Sequence, residues 1–382
     1  MQVIAIITSH APSLVNFRTS LISALLDRGV HVYALAPNFD EHIRAAMREL
    51  GAIPVDCPMV RTGMNPLRDA INTWHMARLL KQLKPDITLG YFIKPVIFGT
   101  LAARWAGVPH RFAMVEGLGF VFTPTGDVLS FKRRLLKQLV LWLYRLGISY
   151  AKRVIFLNPD DRAELVAAGV LPVSKGFLLG GIGVDLSHWT PVPPVLEPTT
   201  FMLVARLLRE KGVHQFAEAA RIVKQSYPLA RFILLGGLDD NPGSITEETV
   251  RAWVAEGVLE WHGHVPVEPW LKESSVFVLP SYREGVPLST QEAMAIGRAV
   301  ITTDVPGCRE TVVDGVNGFL VPPRNAETLA EKMCIFIENP NLIISMGDAS
   351  RKIAEDRFDV EKVNTKLLNM IFEEMKNNEK VF

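Results

Sequence analysis

The chain has 382 residues, 48% hydrophobic and 21% charged, which is enough for two domains with large cores and no need of disulfides. Its three cysteines, Cys57, Cys308 and Cys334, show no C-x-x-C spacing and read as buried thiols of a cytosolic protein. Net charge is only +1, yet residues 1–190 carry 21 Lys and Arg against 13 Asp and Glu (+8), and the remainder 20 against 27 (−7). A basic half points to an anionic surface or ligand, and with no nucleic-acid module present, nucleic acid is not expected as a partner.

In chain order, Met1–Ile7 has no basic leader or cleavage site and reads as a first strand rather than a signal peptide. No run of eighteen uncharged apolar residues occurs, so no segment is expected to span a bilayer. A loop holding Ser13 and Arg18 follows, then a helix stopped by Gly29 and a second strand, Val30–Ala34. This β-α-β start predicts a doubly wound sheet. The missing G-x-G-x-x-G after the first strand weighs against a dinucleotide dehydrogenase. Lys94 lies just past the strand Asp86–Gly90, at an edge where parallel sheets collect anions. The strand Arg111–Val115 leads into Glu116-Gly117-Leu118-Gly119, where glycines permit close approach of a ligand. Glu116 can accept from a sugar hydroxyl or act as a base; the alternative is a buried Glu paired with Arg111 or Lys94. Arg18 likewise is either a phosphate-binding cation or simply solvated.

From Val128 to Pro159 there is no acidic residue but seven bases, Lys132, Arg133, Arg134, Lys137, Arg145, Lys152 and Arg153, interleaved with Leu and aromatic residues such as Trp142. This is the composition of a helix lying in an anionic bilayer interface; the alternative is a domain helix with one buried face. A proline-rich segment, Trp189–Pro198, predicts an interdomain linker at 191–199, between a first domain of residues 1–190 and a second of 200–358.

The second domain carries the chemistry. Phe201–Ala205 is a buried strand ending in Arg206-Leu207-Leu208-Arg209-Glu210-Lys211-Gly212, ahead of a helix from Val213 to Gln225. A further strand, Val276–Pro280, runs into Ser281-Tyr282-Arg283-Glu284-Gly285-Val286-Pro287-Leu288-Ser289, with a helix opening near Pro287 or Leu288. A helix start at the carboxyl end of a strand is an anion site. Arg206 and Lys211 can neutralise a leaving diphosphate. Glu284 and Glu292, with seven residues between them, would repel the anion but suit hydroxyls on either side of it, so the pattern fits a nucleotide sugar. On its own, a strand–turn–helix with a first-turn Glu is equally consistent with ordinary helix capping. Phe232–Leu235 ends in Gly236-Gly237, which permits close approach to phosphate or sugar, and Glu260–Val265 reads as a strand and loop.

The combination Arg206…Lys211 with Glu284-x7-Glu292 resembles glycosyltransferase family 4, retaining enzymes of the GT-B fold. Phe112–Gly119, Gly236–Pro242 and Pro280–Gly285 look most like the bacterial branch that adds N-acetylhexosamines to polyprenyl-diphosphate-linked saccharides. The resemblance implies an α/β chain of two Rossmann-like doubly wound domains facing across a cleft, with a late helix, 359–382, returning to the first. It implies a UDP-sugar donor with N-acetylgalactosamine favoured, a polyprenyl-diphosphate-linked acceptor, no cofactor, no metal, and a peripheral position on the cytoplasmic face of the plasma membrane. By the same resemblance Glu292 takes the ribose, Glu284 the donor sugar, and backbone groups around His264 and Val265 the uracil. Gly285 and the Val286–Ser289 turn complete the phosphate pocket. Family members often carry Gly-Gly in the first loop and His where Lys94 and Glu116 stand; the match there is by position only. The rival expectations are a nucleotide-sugar-binding protein without chemistry, an epimerase or a hydrolase.

Overall fold

A computed structural model describes residues 2–60, 63, 65–123, 131–239, 241 and 243–379. Asp240 and Pro242, and residues 128–130 of the acid-free stretch, lie outside the described residues. The chain forms two compact units, Met1–Ile182 with Glu361–Phe382, and Gly183–Val360.

The first unit is built on seven parallel strands: β1 (Val3–Ile7), β2 (His31–Ala36), β3 (Ile53–Asp56), β4 (Ile87–Tyr91), β5 (His110–Val115), β6 (Arg153–Phe156) and β7 (Gly176–Leu178). Their order is β3-β2-β1-β4-β5-β6-β7. β1 and β4 are buried along nearly their whole length, as strands covered on both faces must be. The helices are α1 (Pro12–Leu26), α2 (Glu41–Leu50), α3 (Pro66–Leu83), α4 (Thr100–Trp105), α5 (Phe131–Ile148) and α6 (Pro159–Ala167). Asp40, Asn65 and Asn158 cap α2, α3 and α6 by accepting a backbone N–H.

α3, α4 and α5 lie in one layer. Met76 and Leu80 of α3 share a cluster with Ala102 and Ala103 of α4 over Ala5 and Ile7. Val140, Leu141 and Tyr144 of α5 pack on Val96 and Ile97 over Ala113 and Val115. The register Ile7↔Gly90↔Ala113 puts both clusters on the same face of the sheet. Gly147 permits this packing, because a Cβ there would sit 2.6 Å from the Ile97 Cα.

The second unit has six parallel strands: β8 (Thr200–Val204), β9 (Arg231–Leu235), β10 (Glu260–Trp261), β11 (Val276–Leu279), β12 (Ala299–Thr303) and β13 (Gly318–Val321), in the order β10-β9-β8-β11-β12-β13. Its helices are α7 (Val213–Ser226), α8 (Glu247–Ala255), α9 (Glu268–Lys272), α10 (Leu288–Ala295), α11 (Ala326–Glu338) and α12 (Pro340–Arg357). α13 (Val360–Glu379) follows, and from Glu361 it belongs to the first unit. There Glu374 meets Arg153 Nε at 2.6 Å and Lys366 donates to the Leu179 carbonyl at 2.8 Å.

The expected linker at 191–199 is corrected by the structure. The units divide at Ile182/Gly183, so residues 183–190, expected in the first domain, and 191–199 both fall in the second. The proline-rich segment is tied to the carboxyl end of α9 by a fully buried Arg298, which donates to the carbonyl of Val192 in the segment (2.8 Å) and to those of Leu271 (3.0 Å) and Lys272 (3.1 Å) in α9. Prolines lack N–H groups, but their segment still offers carbonyls, and a guanidinium with five donors can join one of them to a helix end.

Each sheet reverses its strand order once, between β1 and β4 and between β8 and β11. Ligands of such sheets bind at these reversal points, beyond the carboxyl ends of the strands.

Candidate active site

The reversal point of the second sheet gathers most of the residues singled out for chemistry. β8 ends at Val204, and the following loop carries Arg206 and Lys211 into Gly212, which opens α7 with φ +72°. The left-handed conformation and lack of a side chain are both needed, since a Cβ on Gly212 would lie 2.0 Å from the Pro280 carbonyl oxygen just beyond β11. Gly236 shows the same constraint at the end of β9: φ is +151° and a Cβ would fall 1.8 Å from the Ala205 oxygen. These two glycines let neighbouring strand ends converge on a small volume.

Lys211 Nζ lies 2.5 Å from Glu284 Oε1, and that same oxygen accepts from Ser281 Oγ at 2.7 Å. Both ionic side chains are largely buried, 18% and 12% exposed, so the pair is held in low dielectric. Arg206 is different. Its guanidinium is 49% exposed and reaches Asp239 Oδ2 at 2.9 Å. Burial raises the Asp239 carboxyl, but hydrogen bonds from Arg206 and Asn241 outweigh this and leave it below the usual range. Asp239 is a partner the sequence reading assigned no role. Its signal was faint: an acid two residues past a Gly-Gly turn.

α10 begins at Leu288 with Pro287 as N-cap, with no side-chain cap and no acidic residue in its first turn. The backbone N–H groups of this turn therefore carry no side-chain cap, the condition under which a helix start can take an anion. Ser289, expected to touch the donor, donates to the Val204 carbonyl at 3.3 Å and ties this helix start to β8. Gln291, fully buried, donates to the Val286 carbonyl at 3.3 Å and accepts from the Gly183 N–H at 3.2 Å, fixing the turn from behind. Gly307 supports Glu284 and Gly285 closely, because a Cβ there would sit 2.3 Å from the Glu284 carbonyl oxygen.

Glu292 sits one turn further along α10. Its carboxyl makes no hydrogen bond or ion pair with the described residues, and burial pushes it up to about 7. A partly buried carboxyl with nothing to hold is a group awaiting a ligand donor. At the other end of the site, the Gly236 N–H donates to the Gly263 carbonyl at 2.8 Å and the Leu207 N–H to the Gly237 carbonyl at 3.2 Å. The loop with exposed His264 and half-buried Val265 is thereby pinned beside Gly236-Gly237. Among the described residues, no group of three or more His, Cys, Asp or Glu is placed to hold a metal ion.

The first unit holds a second polar cluster at its own reversal point. Ser13 Oγ lies 2.8 Å from Tyr91 OH and 3.1 Å from Thr8 Oγ1. The Arg18 guanidinium stands 4.5 Å from the Tyr91 ring centroid and pairs with Glu116. Arg18 is buried, which lowers its pKa; burial likewise raises that of Tyr91. Neither alternative for these residues is realised: Arg18 is not solvated, and Glu116 pairs with Arg18 rather than Arg111 or Lys94. Arg111 turns to the Tyr150 carbonyl at 2.8 Å, and Lys94 pairs with Asp69 at 2.8 Å. Tyr91, the hub of the cluster, was missed because a Tyr ending an apolar strand reads as core.

On α5, Lys132 and Arg134 are exposed and Trp142 is 58% exposed. Lys137 pairs with Glu164 at 2.7 Å and Arg133 donates to the Thr123 carbonyl, so of the bases Lys132, Arg133, Arg134 and Lys137 expected to face lipid, two are engaged within the unit. No helix among the described residues is long and apolar enough to cross a membrane.

Two doubly wound parallel sheets, one with cations, two glutamates and an uncapped helix start at its reversal point, are the arrangement expected of a GT-B glycosyltransferase. Comparison with known proteins agrees. Residues 16–174 match the Glycosyl transferase 4-like domain and residues 198–339 match Glycosyl transferases group 1. The N,N'-diacetylbacillosaminyl-diphospho-undecaprenol alpha-1,3-N-acetylgalactosaminyltransferase of Campylobacter jejuni is 32% identical, over 89% of this chain and 90% of the relative. The UDP-Gal:alpha-D-GlcNAc-diphosphoundecaprenol alpha-1,3-galactosyltransferase of Escherichia coli is 25% identical, over 90% and 92%. Sucrose-phosphate synthase from Thermosynechococcus elongatus superposes with a TM-score of 0.82 at 19% identity, over 99% of this chain and 100% of that one. Anabaena HepE in complex with UDP gives 0.77 at 17% identity, over 98% and 100%. The chain belongs to glycosyltransferase family 4 and has the GT-B fold.

Proposed function

We propose that this chain transfers an N-acetylhexosamine, N-acetylgalactosamine being favoured, from a UDP-sugar to a saccharide carried on a polyprenyl diphosphate, with retention of configuration and without a divalent ion. The observation that carries the reading is the convergence at the β8/β11 reversal point: the Lys211–Glu284 pair, exposed Arg206, an α10 start free of acidic residues, and Glu292 with no partner among the described residues. The names of the Campylobacter jejuni and Escherichia coli relatives, both acting on undecaprenyl-diphosphate-linked sugars, support the acceptor class.

In this account the donor diphosphate sits between Arg206, Lys211 and the N–H groups of the α10 turn. Glu284, released from Lys211 as that cation meets phosphate, accepts from hydroxyls of the donor sugar, and Glu292 accepts from the ribose. The acceptor oxygen attacks the anomeric carbon on the face from which UDP departs. As the carbon–oxygen bond to the diphosphate breaks, the acceptor proton passes to the leaving phosphate oxygen. No protein nucleophile and no cofactor is consumed. Cations already fixed in a partly dry pocket stabilise the departing charge. The Arg18–Glu116–Tyr91–Ser13 cluster is assigned to the acceptor side, with Glu116 orienting an acceptor hydroxyl. Through the exposed bases and Trp142 of α5, the protein rests peripherally on the cytoplasmic face of the plasma membrane.

The test is incubation with a panel of UDP-sugars and a short polyprenyl-diphosphate saccharide, followed by product mass and anomeric configuration. An α-linked product lengthened by one N-acetylhexosamine, formed in excess chelator, is the expected result. Free sugar alone would mean hydrolysis, an isomerised donor would mean epimerisation, and UDP binding without turnover would mean a binding protein.

A further inference from the structure

We infer that α3 is a second bilayer-docking helix, so that the first unit meets an anionic lipid surface through α3 and α5 together; this rests on the membrane contact proposed above. Leu67, Ile71 and Trp74 of α3 are 73%, 49% and 50% exposed. They recur at intervals of four and three residues, which places them in one stripe on the helix. A solvent-facing stripe of large apolar side chains has no role in the unit's own core, which α3 enters with its other face through Met76, Ala77 and Leu80.

The charges beside the stripe are all of one sign. Arg68, Arg78 and Lys81 are exposed, and Arg78 lies over the Trp74 ring at 4.6 Å. The single acid of α3, Asp69, is buried and paired with Lys94, while α4 and α5 contain no acid. α5 repeats the pattern, with Phe131, Leu135 and Trp142 exposed among Lys132 and Arg134. α3 and α5 flank α4 in one layer on the same face of the sheet, so the two stripes belong to one side of the unit. Apolar side chains that enter the acyl boundary, framed by bases at headgroup level with no exposed acid on α3, α4 or α5, match an anionic bilayer.

The experiment places an environment-sensitive fluorophore at Ile71→Cys or Leu135→Cys in a Cys334→Ser background, Cys57 and Cys308 being buried. Both probes are expected to shift to the blue on adding phosphatidylglycerol-rich vesicles, and to lose the shift in phosphatidylcholine vesicles or high salt. A shift at 135 with none at 71 overturns the proposal by confining contact to α5, and no shift at either position overturns it by removing the bilayer. Arg68→Gln with Arg78→Gln should weaken partition to the anionic vesicles about thirtyfold, two bases at the surface being lost; unchanged partition also overturns it. None of these readouts needs sugar transfer, so a failed transfer assay and a failed docking assay are told apart.

Discussion

Replacing Glu292 with Gln separates what this carboxyl costs the fold from what it gives the ligand. Burial holds Glu292 at about 7, against 4.5 for a free side chain. A carboxyl with a raised folded pKa binds more protons folded than unfolded, so wild-type stability falls as pH rises from 4.5 through about 7 and is level above that. The full penalty is about 3 kcal/mol, of which about 2.5 kcal/mol accrues between pH 5 and pH 8. Glu292→Gln keeps the shape and removes the charge. By calorimetry its stability relative to wild type should therefore be higher at pH 8 than at pH 5 by about 2 kcal/mol once partial exposure is allowed for. Other titrating groups cancel in the wild-type-minus-variant difference. UDP affinity measured by titration calorimetry at pH 8 should fall about tenfold or more, because a charged acceptor for ribose hydroxyls is lost. A difference in stability that does not change with pH would refute the burial argument. Unchanged UDP affinity would refute the ribose assignment.

Arg206→Ala and Lys211→Ala should each lower kcat by about a hundredfold or more, measured by UDP release, since each supplies about 3 kcal/mol of charge stabilisation to the leaving group. The two should differ in the fold. Lys211→Ala leaves Glu284 buried with only Ser281 as a side-chain partner and lowers Tm, whereas Arg206→Ala, at a half-exposed position, leaves Tm nearly unchanged. Gly236→Ala puts a methyl into the Ala205 carbonyl at a backbone angle L-residues avoid, and should cost more than about 3 kcal/mol by thermal unfolding. Arg298→Met strips hydrogen bonds from the carbonyls of Val192, Leu271 and Lys272; a loss of about 3 kcal/mol and faster proteolysis within 191–199 are expected.

The strands were legible because parallel sheets bury both faces: Val3–Ile7 and Val276–Leu279 are apolar from end to end. The α10 start was legible too, since Pro tolerates only a few helix positions and here takes the N-cap. Partnerships were harder to read. Nothing local says that Lys211 meets Glu284 across 73 residues, or that Arg18 in α1 reaches Glu116 past β5. Such pairings are set by strand order, which puts β8 beside β11 and brings β5 within two strands of β1, across β4. The proline-rich segment misled for a related reason. Composition signals stiffness and absent donors, whereas the buried Arg298 that holds the Val192 carbonyl comes 106 residues later in the chain. The apolar stripe of α3 was passed over because Leu67, Ile71 and Trp74 fit a core face equally well until exposure distinguishes the two sides of the helix.

A crystal structure of the UDP complex would show where the diphosphate goes. The diphosphate oxygens should lie within hydrogen-bonding distance of Arg206, Lys211 and the N–H groups of the α10 first turn, with the ribose on Glu292 and Lys211 drawn from Glu284. A diphosphate lodged elsewhere, with the Lys211–Glu284 pair intact and Glu292 still without a partner, would contradict the account.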